Sequence, residues 1–138
     1  MNLNFKKISI IGLGLIGTSI LHAIKAKEDN KVVTFAYDIN PNHREIVIEL
    51  KIASFVCDDI KDAVKEADLV ILAVPVGAMK TVARLIAPFL KNNTIVTDTG
   101  STKGSVISDV NPYLSNNVYF IPSHPLAGTE YSGPKSGF

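Results

Sequence analysis

The stretch KISIIGLGLIG, residues 7–17, decides the fold. Its first five residues are short, apolar and rich in β-branched side chains, the composition of a buried strand. Gly12 then breaks the run, and a helical pattern begins near Ile16. Gly12, Gly14 and Gly17 stand in G-x-G-x-x-G spacing between that strand and that helix. In this setting Gly12 permits a tight turn, Gly14 lets backbone approach a pyrophosphate, and Gly17 lets helix and strand pack closely. The helix N-terminus adds unpaired N–H groups and partial positive charge for the phosphates. Taken alone, six residues of this kind also fit a tight turn with no ligand.

The next strand strengthens the ligand reading. A second apolar run, VVTFAY at residues 32–37, ends at Asp38, 21 residues past Gly17. A carboxylate there can accept hydrogen bonds from the adenosine ribose hydroxyls of a dinucleotide, and its charge repels the 2′-phosphate of NADP. NAD is therefore the expected cofactor and NADP the disfavoured one. His43 and Arg44 follow closely, and are read as a solvated helix face; His22, on the first helix, is read as a surface or packing residue.

Farther along, strand and helix patterns keep alternating. A helix opens at Pro41 and runs to about residue 50, followed by a weak strand at Phe55 and Val56 and a short helix over 59–66. The strong strand LVILAV (69–74) stops at Pro75, and an amphipathic helix follows over 76–90. TIVTD (94–98), a helix over 102–110 and VYFI (118–121) complete six strands. Strands apolar on both faces and alternating with helices predict an α/β fold: a doubly wound parallel six-stranded sheet of the Rossmann type, ordered 3-2-1-4-5-6. No internal repeat or low-complexity block interrupts it.

Bulk properties agree with one such domain. The chain has 138 residues, 46% hydrophobic and 20% charged, with formal net charge +1. That composition points to no polyanionic partner, neither nucleic acid nor membrane surface. Apolar runs of four to six residues fall far short of the roughly 20 needed to span a bilayer, and the start lacks a signal-peptide pattern, so a cytoplasmic location is expected. Cys57 is the sole cysteine, which excludes an internal disulfide and a cysteine-based metal site, so no metal is expected. Its reading is a small buried hydrophobe.

In open parallel sheets ligands bind beyond the carboxyl ends of the strands, where the strand order reverses. With adenosine over the first half of the sheet, nicotinamide must lie over strands four to six. The loops leaving those strands read AVPVGA (73–78), DTGSTKG (98–104) and PSHPLAGTE (122–130). Strands five and six lie about 4.8 Å apart, which brings Ser101 beside His124. A histidine there can take the proton of a substrate hydroxyl while hydride leaves the same carbon. Each residue keeps a plainer alternative: Ser101 as a helix N-cap, Lys103 as a solvated first-turn residue, His124 as an idle loop histidine.

The segments IIGLGLIGTSI, ADLVILAVPV, TDTGSTKG and PSHPLAGTEYSGP together resemble the prephenate dehydrogenase family, in its cyclohexadienyl or arogenate dehydrogenase branch. The resemblance implies oxidation of prephenate or arogenate at the hydroxyl-bearing ring carbon, with hydride passing to NAD and CO2 lost opposite, in tyrosine biosynthesis. It places the catalytic histidine on His124 and the supporting serine on Ser101, both also touching substrate, with Thr129 near the substrate. Its cofactor contacts fall on Gly12, Gly14, Ile16, Gly17, Asp38, Val74 and Pro75. Thr18 stands where many members have glycine, and Thr99 and Thr102 where many have valine.

Members of the family continue into a helical domain that dimerises and supplies residues for the substrate carboxylates. This chain is expected to comprise the dinucleotide-binding domain over 1–122 and a catalytic His loop over 123–138, without that helical domain. The resemblance thus implies a homodimer only for a longer form, and weak or no turnover for this chain alone. A different class stays open: a stand-alone NAD-binding module without catalysis. A third reading is another Rossmann dehydrogenase, of β-hydroxyacid or pyrroline-carboxylate type, which should lack the paired TDTGSTKG and SHPLAGTE motifs.

Overall fold

The computed structural model describes residues 5–27, 31–99 and 103–122. Strand β1 (Lys7–Ile11) leads into α1 (Leu15–Lys27), β2 (Val33–Tyr37) into α2 (Pro41–Leu50), and β3 (Phe55–Val56) into α3 (Ile60–Val64). Then come β4 (Leu69–Leu72), α4 (Met79–Ile86), β5 (Ile95–Asp98), α5 (Lys103–Val110) and β6 (Tyr119–Phe120). All pairings are parallel, in the order β3-β2-β1-β4-β5-β6. This is the predicted topology.

Side chains alternate across the pleat and divide the core in two. Ile8 and Ile10 of β1 pack with Leu21 of α1 and Val47 of α2 on one face. Ile11, with Val70 and Leu72 of β4, packs on the other face against Val64, Met79, Ala83, Ile86 and Val110 from α3, α4 and α5. Two covered faces explain why these strands read as continuous apolar runs rather than alternating ones. Ser9 breaks the run: fully buried in β1, its hydroxyl is the one buried side-chain polar atom left unbonded among the described residues. Cys57, expected to be buried, is only half-buried, and it packs against the second cluster.

Local signals set the ends of the elements. Asn40 caps α2, its side chain accepting from Asn42 N–H at 2.9 Å, and Pro41 occupies the first turn where its missing donor costs nothing. Asp59 caps α3 in the same way, accepting from Lys61 N–H at 2.9 Å. Asp68 ties the opposite edge of the sheet together by accepting from the N–H groups of Lys6 and Lys7 at 2.9 Å each and from Lys91 Nζ at 2.8 Å. Burial alone would raise the Asp68 pKa, yet these donors outweigh it and hold the group below the usual aspartate range.

Two elements differ from expectation. The strand predicted over 69–74 ends at Leu72; Ala73 N–H still donates to Ile11 O at 2.7 Å, and Ala73 O and Val74 Cγ1 stand close against Gly12. The single helix expected over 76–90 is three pieces: a 3-10 turn at Val76–Ala78, α4, and a second 3-10 turn at Ala87–Phe89. Pro88, which has no N–H to donate, accounts for the change at its C-terminal end.

Candidate nucleotide site at the carboxyl edge of the sheet

The register aligns the strand ends. Ile11 pairs with Tyr37 on one side and Leu72 on the other, and Leu72 pairs with Asp98. Gly12, Asp38, Ala73 and Thr99 therefore leave the sheet at one level, around the point where the chain reverses from β1 outward in both directions. Ile121 N–H still bonds Val96 O at 2.9 Å, so Pro122 arrives at the same edge beside β5.

At the centre is the glycine loop. Gly12 has φ +105°, a conformation that side chains rarely adopt, and its N–H bonds Tyr37 O at 2.8 Å. A Cβ at Gly12 would lie 2.5 Å from Ala73 O and 3.0 Å from Val74 Cγ1. At Gly17 it would overlap the carbonyl oxygen of Gly12 and touch Ile10 Cγ2 at 3.4 Å. At Gly14 it would meet nothing within 4 Å. Two glycines thus serve the fold, whereas the third leaves backbone bare toward open space.

That open side faces the start of α1, a 13-residue helix with no acidic residue in its first turn. Its leading N–H groups lack intrahelical acceptors and attract an anion. Thr18, one of the departures from the family pattern, donates its hydroxyl to Gly14 O. Thr99 donates to Leu72 O through its N–H at 3.1 Å, tying the loop after β5 to β4. Ile16 is exposed on the first turn of α1, and Leu15 and Ile39 add further exposed apolar side chains at this edge.

Asp38 closes the other side of the loop. Its Oδ2 accepts from Leu13 N–H at 2.6 Å and its Oδ1 from Asn40 N–H at 2.8 Å. Partial burial on its own would raise the Asp38 pKa; the N–H groups of Asn40 and Leu13, together with His43, reverse that and keep it below the usual aspartate value. A depressed carboxylate stabilises the fold above the unfolded-state pKa of roughly 3.9, and that contribution fades as pH falls through the lower folded-state value. At neutral pH Asp38 therefore holds a full negative charge beside the glycine loop.

The structure corrects the reading of His43 and Arg44 as a solvated helix face. His43 Nδ1 lies 3.1 Å from Asp38 Oδ2, and an Arg44 guanidinium nitrogen donates to Asp38 O at 2.8 Å. The first turn of α2 folds back over Asp38, two residues ahead of its cap, which puts positions five and six after Asp38 beside it. The sequence signal was available in the Asn40-Pro41 helix start that sets this geometry. His22 is exposed, as expected.

Of the predicted site residues, the structure brings together Gly12, Gly14, Gly17, Ile16, Asp38, Val74 and Pro75, the last as the residue opening the 3-10 turn after β4. Ser101, His124 and Thr129 lie outside the described residues. Asp98, which ends β5, is buried at this edge. Among the described residues no cluster of His, Cys, Asp or Glu could hold a metal, and no helix is long and apolar enough to cross a membrane.

Residues 21–138 match the family described as prephenate dehydrogenase, nucleotide-binding domain. The cyclohexadienyl dehydrogenase of Zymomonas mobilis is 51% identical over 134 residues, covering 97% of this chain and 45% of that protein. The prephenate dehydrogenase of Lactococcus lactis is 39% identical, over 93% of this chain and 36% of that one. A crystal structure of prephenate dehydrogenase from A. aeolicus, in complex with hydroxyphenyl propionate and NAD+, superposes with a TM-score of 0.78 at 28% identity, covering 94% of this chain and 45% of that one. The chain thus spans less than half the length of the relatives it matches.

Proposed function

The chain belongs to the prephenate dehydrogenase family, and from that premise we propose that it forms the NAD-binding half of an enzyme that oxidatively decarboxylates prephenate or arogenate in tyrosine biosynthesis. The observation that carries the cofactor reading is the pairing of bare backbone at Gly14 with the ionised Asp38 across the same loop. A pyrophosphate needs the first and a ribose the second. Bound NAD would supply the hydride acceptor.

The chain's own residues would do the rest. Gly12, Gly14 and the first turn of α1 hold the pyrophosphate, with Ile16 against it, and Asp38 holds the adenosine ribose. Val74 and Pro75, at the end of β4, border the path toward the nicotinamide. His124 takes the proton of the substrate hydroxyl as its carbon gives up hydride, and Ser101 orients the two groups. Thr129 lies along the substrate. The resulting ketone is conjugated with the carbon bearing the carboxylate, so CO2 departs and an aromatic phenol remains. Substrate-carboxylate contacts and homodimer formation belong to the length of the relatives beyond this span.

The test is NADH formation from prephenate and from arogenate, measured on these 138 residues alone and on a form extended to the relatives' full length. The extended form is expected to turn over at least one of the two substrates, and the 138-residue chain to give little or none. Failure of the extended form with both substrates would remove the proposal, and robust turnover by the short chain would remove the division of labour within it.

A further inference from the structure

Asp38 has fewer acceptor positions to spare than a ribose-binding carboxylate needs. An ionised carboxylate offers about four lone-pair sites. Leu13 N–H and His43 Nδ1 share Oδ2, at 2.6 and 3.1 Å, and Asn40 N–H takes one site on Oδ1 at 2.8 Å. About one acceptor position remains, whereas a ribose presents two neighbouring hydroxyls. The two N–H partners belong to the backbone and are fixed by the fold. His43 is a side chain, 42% exposed, on the first turn of α2, and it alone can leave.

We propose that His43 is a cofactor-discriminating residue: it occupies on Asp38 the acceptor site that a second ribose hydroxyl of NAD would use, and it offers its ring N–H to a 2′-phosphate placed at that corner. The inference rests on the nucleotide-binding function proposed for this edge. Arg44 belongs to the same corner, with one nitrogen on Asp38 O at 2.8 Å and Nε 3.7 Å from Asp58, whose side chain is almost fully exposed. A guanidinium carries five donors, so Arg44 keeps some for a phosphate without releasing Asp38. Asp38 bonds both His43 and Arg44, and Arg44 links this corner to Asp58. His43 thus weakens the binding of NAD through competition and lessens the exclusion of NADP through hydrogen bonding.

Calorimetric titration of NAD and NADP against the unaltered chain and His43→Ala tests this directly. The variant is expected to bind NAD about fivefold more tightly and NADP more weakly, widening the ratio of the two dissociation constants at least about tenfold. A residue that merely props Asp38 would shift both constants in the same direction, and an unchanged ratio would overturn the inference. A second measurement needs no variant: the His43 ring nitrogens, followed by NMR, should lose the carboxylate-bonded signature at Nδ1 when NAD is added, and persistence of that signature would also overturn it. If the unaltered chain does not bind NAD at all, the nucleotide reading falls and takes this inference with it; NAD binding indifferent to His43 removes only the inference.

Discussion

Gly17→Ala should cost the chain a large part of its stability, whereas Gly14→Ala, three residues earlier in the same motif, should leave stability intact and weaken nucleotide binding about a hundredfold. Helix propensity alone argues the reverse for Gly17, since alanine in a helix is favoured over glycine by about 1 kcal/mol. Contact overrides propensity here. The added methyl would overlap the carbonyl oxygen of Gly12, which is backbone and cannot rotate away, and Gly12 is itself pinned by its bond to Tyr37 O and its approach to Ala73. Relieving the clash means parting α1 from β1 and opening the cluster around Ile10 and Leu21. Overpacking of that kind costs about 1–3 kcal/mol where side chains yield, and more where backbone must move. Against a typical total of about 5–15 kcal/mol, this is a large fraction.

Gly14 differs because nothing lies within 4 Å of its prospective Cβ. The methyl would stand in the space a pyrophosphate needs, so NAD affinity should fall on the order of a hundredfold, about 2.7 kcal/mol. Thermal melts and NAD titrations of both variants separate the cases. Equal destabilisation by the two, or unchanged NAD affinity in Gly14→Ala, would show that the loop does not divide its labour in this way.

The other large effect belongs to His124. In a protein extended to the relatives' length, His124→Asn is expected to lower turnover by about 10²–10⁴-fold, the usual weight of a positioned general base, while NAD affinity stays unchanged. Position in the chain gives the reason: β6 delivers Pro122 to the carboxyl edge beside β5, and His124 follows two residues later. Asparagine keeps a polar side chain of similar size and removes the titratable nitrogen. A variant with unaltered turnover would take His124 out of the mechanism. One that lost NAD affinity in proportion would make it a structural residue of the loop.

Much of this was legible in the chain because each signal was local. The run ending at Gly12, the run ending at Asp38 and the Pro41 helix start are each readable within a few residues; alternation points to a parallel sheet, and the glycine fingerprint to the dinucleotide-binding strand order. Features that escaped depended on how the folded backbone brings side chains onto one another, which composition and periodicity do not carry. β4 ends at Leu72, and Ala73 O and Val74 Cγ1 crowd Gly12, a contact with a distant part of the sequence that the apolar run 69–74 does not announce. His43 and Arg44 read as surface residues on helical periodicity, and only the fold of α2's first turn over Asp38 shows them bonded to it. Ser9 could not be read as an unbonded hydroxyl, since strand composition says nothing of the partners across two faces.

This edge of the sheet is expected to bind NAD through the glycine loop and Asp38. Calorimetric titration of the 138-residue chain with NAD and NADP, repeated with Asp38→Ala, addresses it most directly. Saturable one-to-one NAD binding is expected, with weaker NADP binding and loss of the preference between them once the carboxylate is gone. Absence of NAD binding by the unaltered chain, or an NAD preference that survives Asp38→Ala, would contradict it.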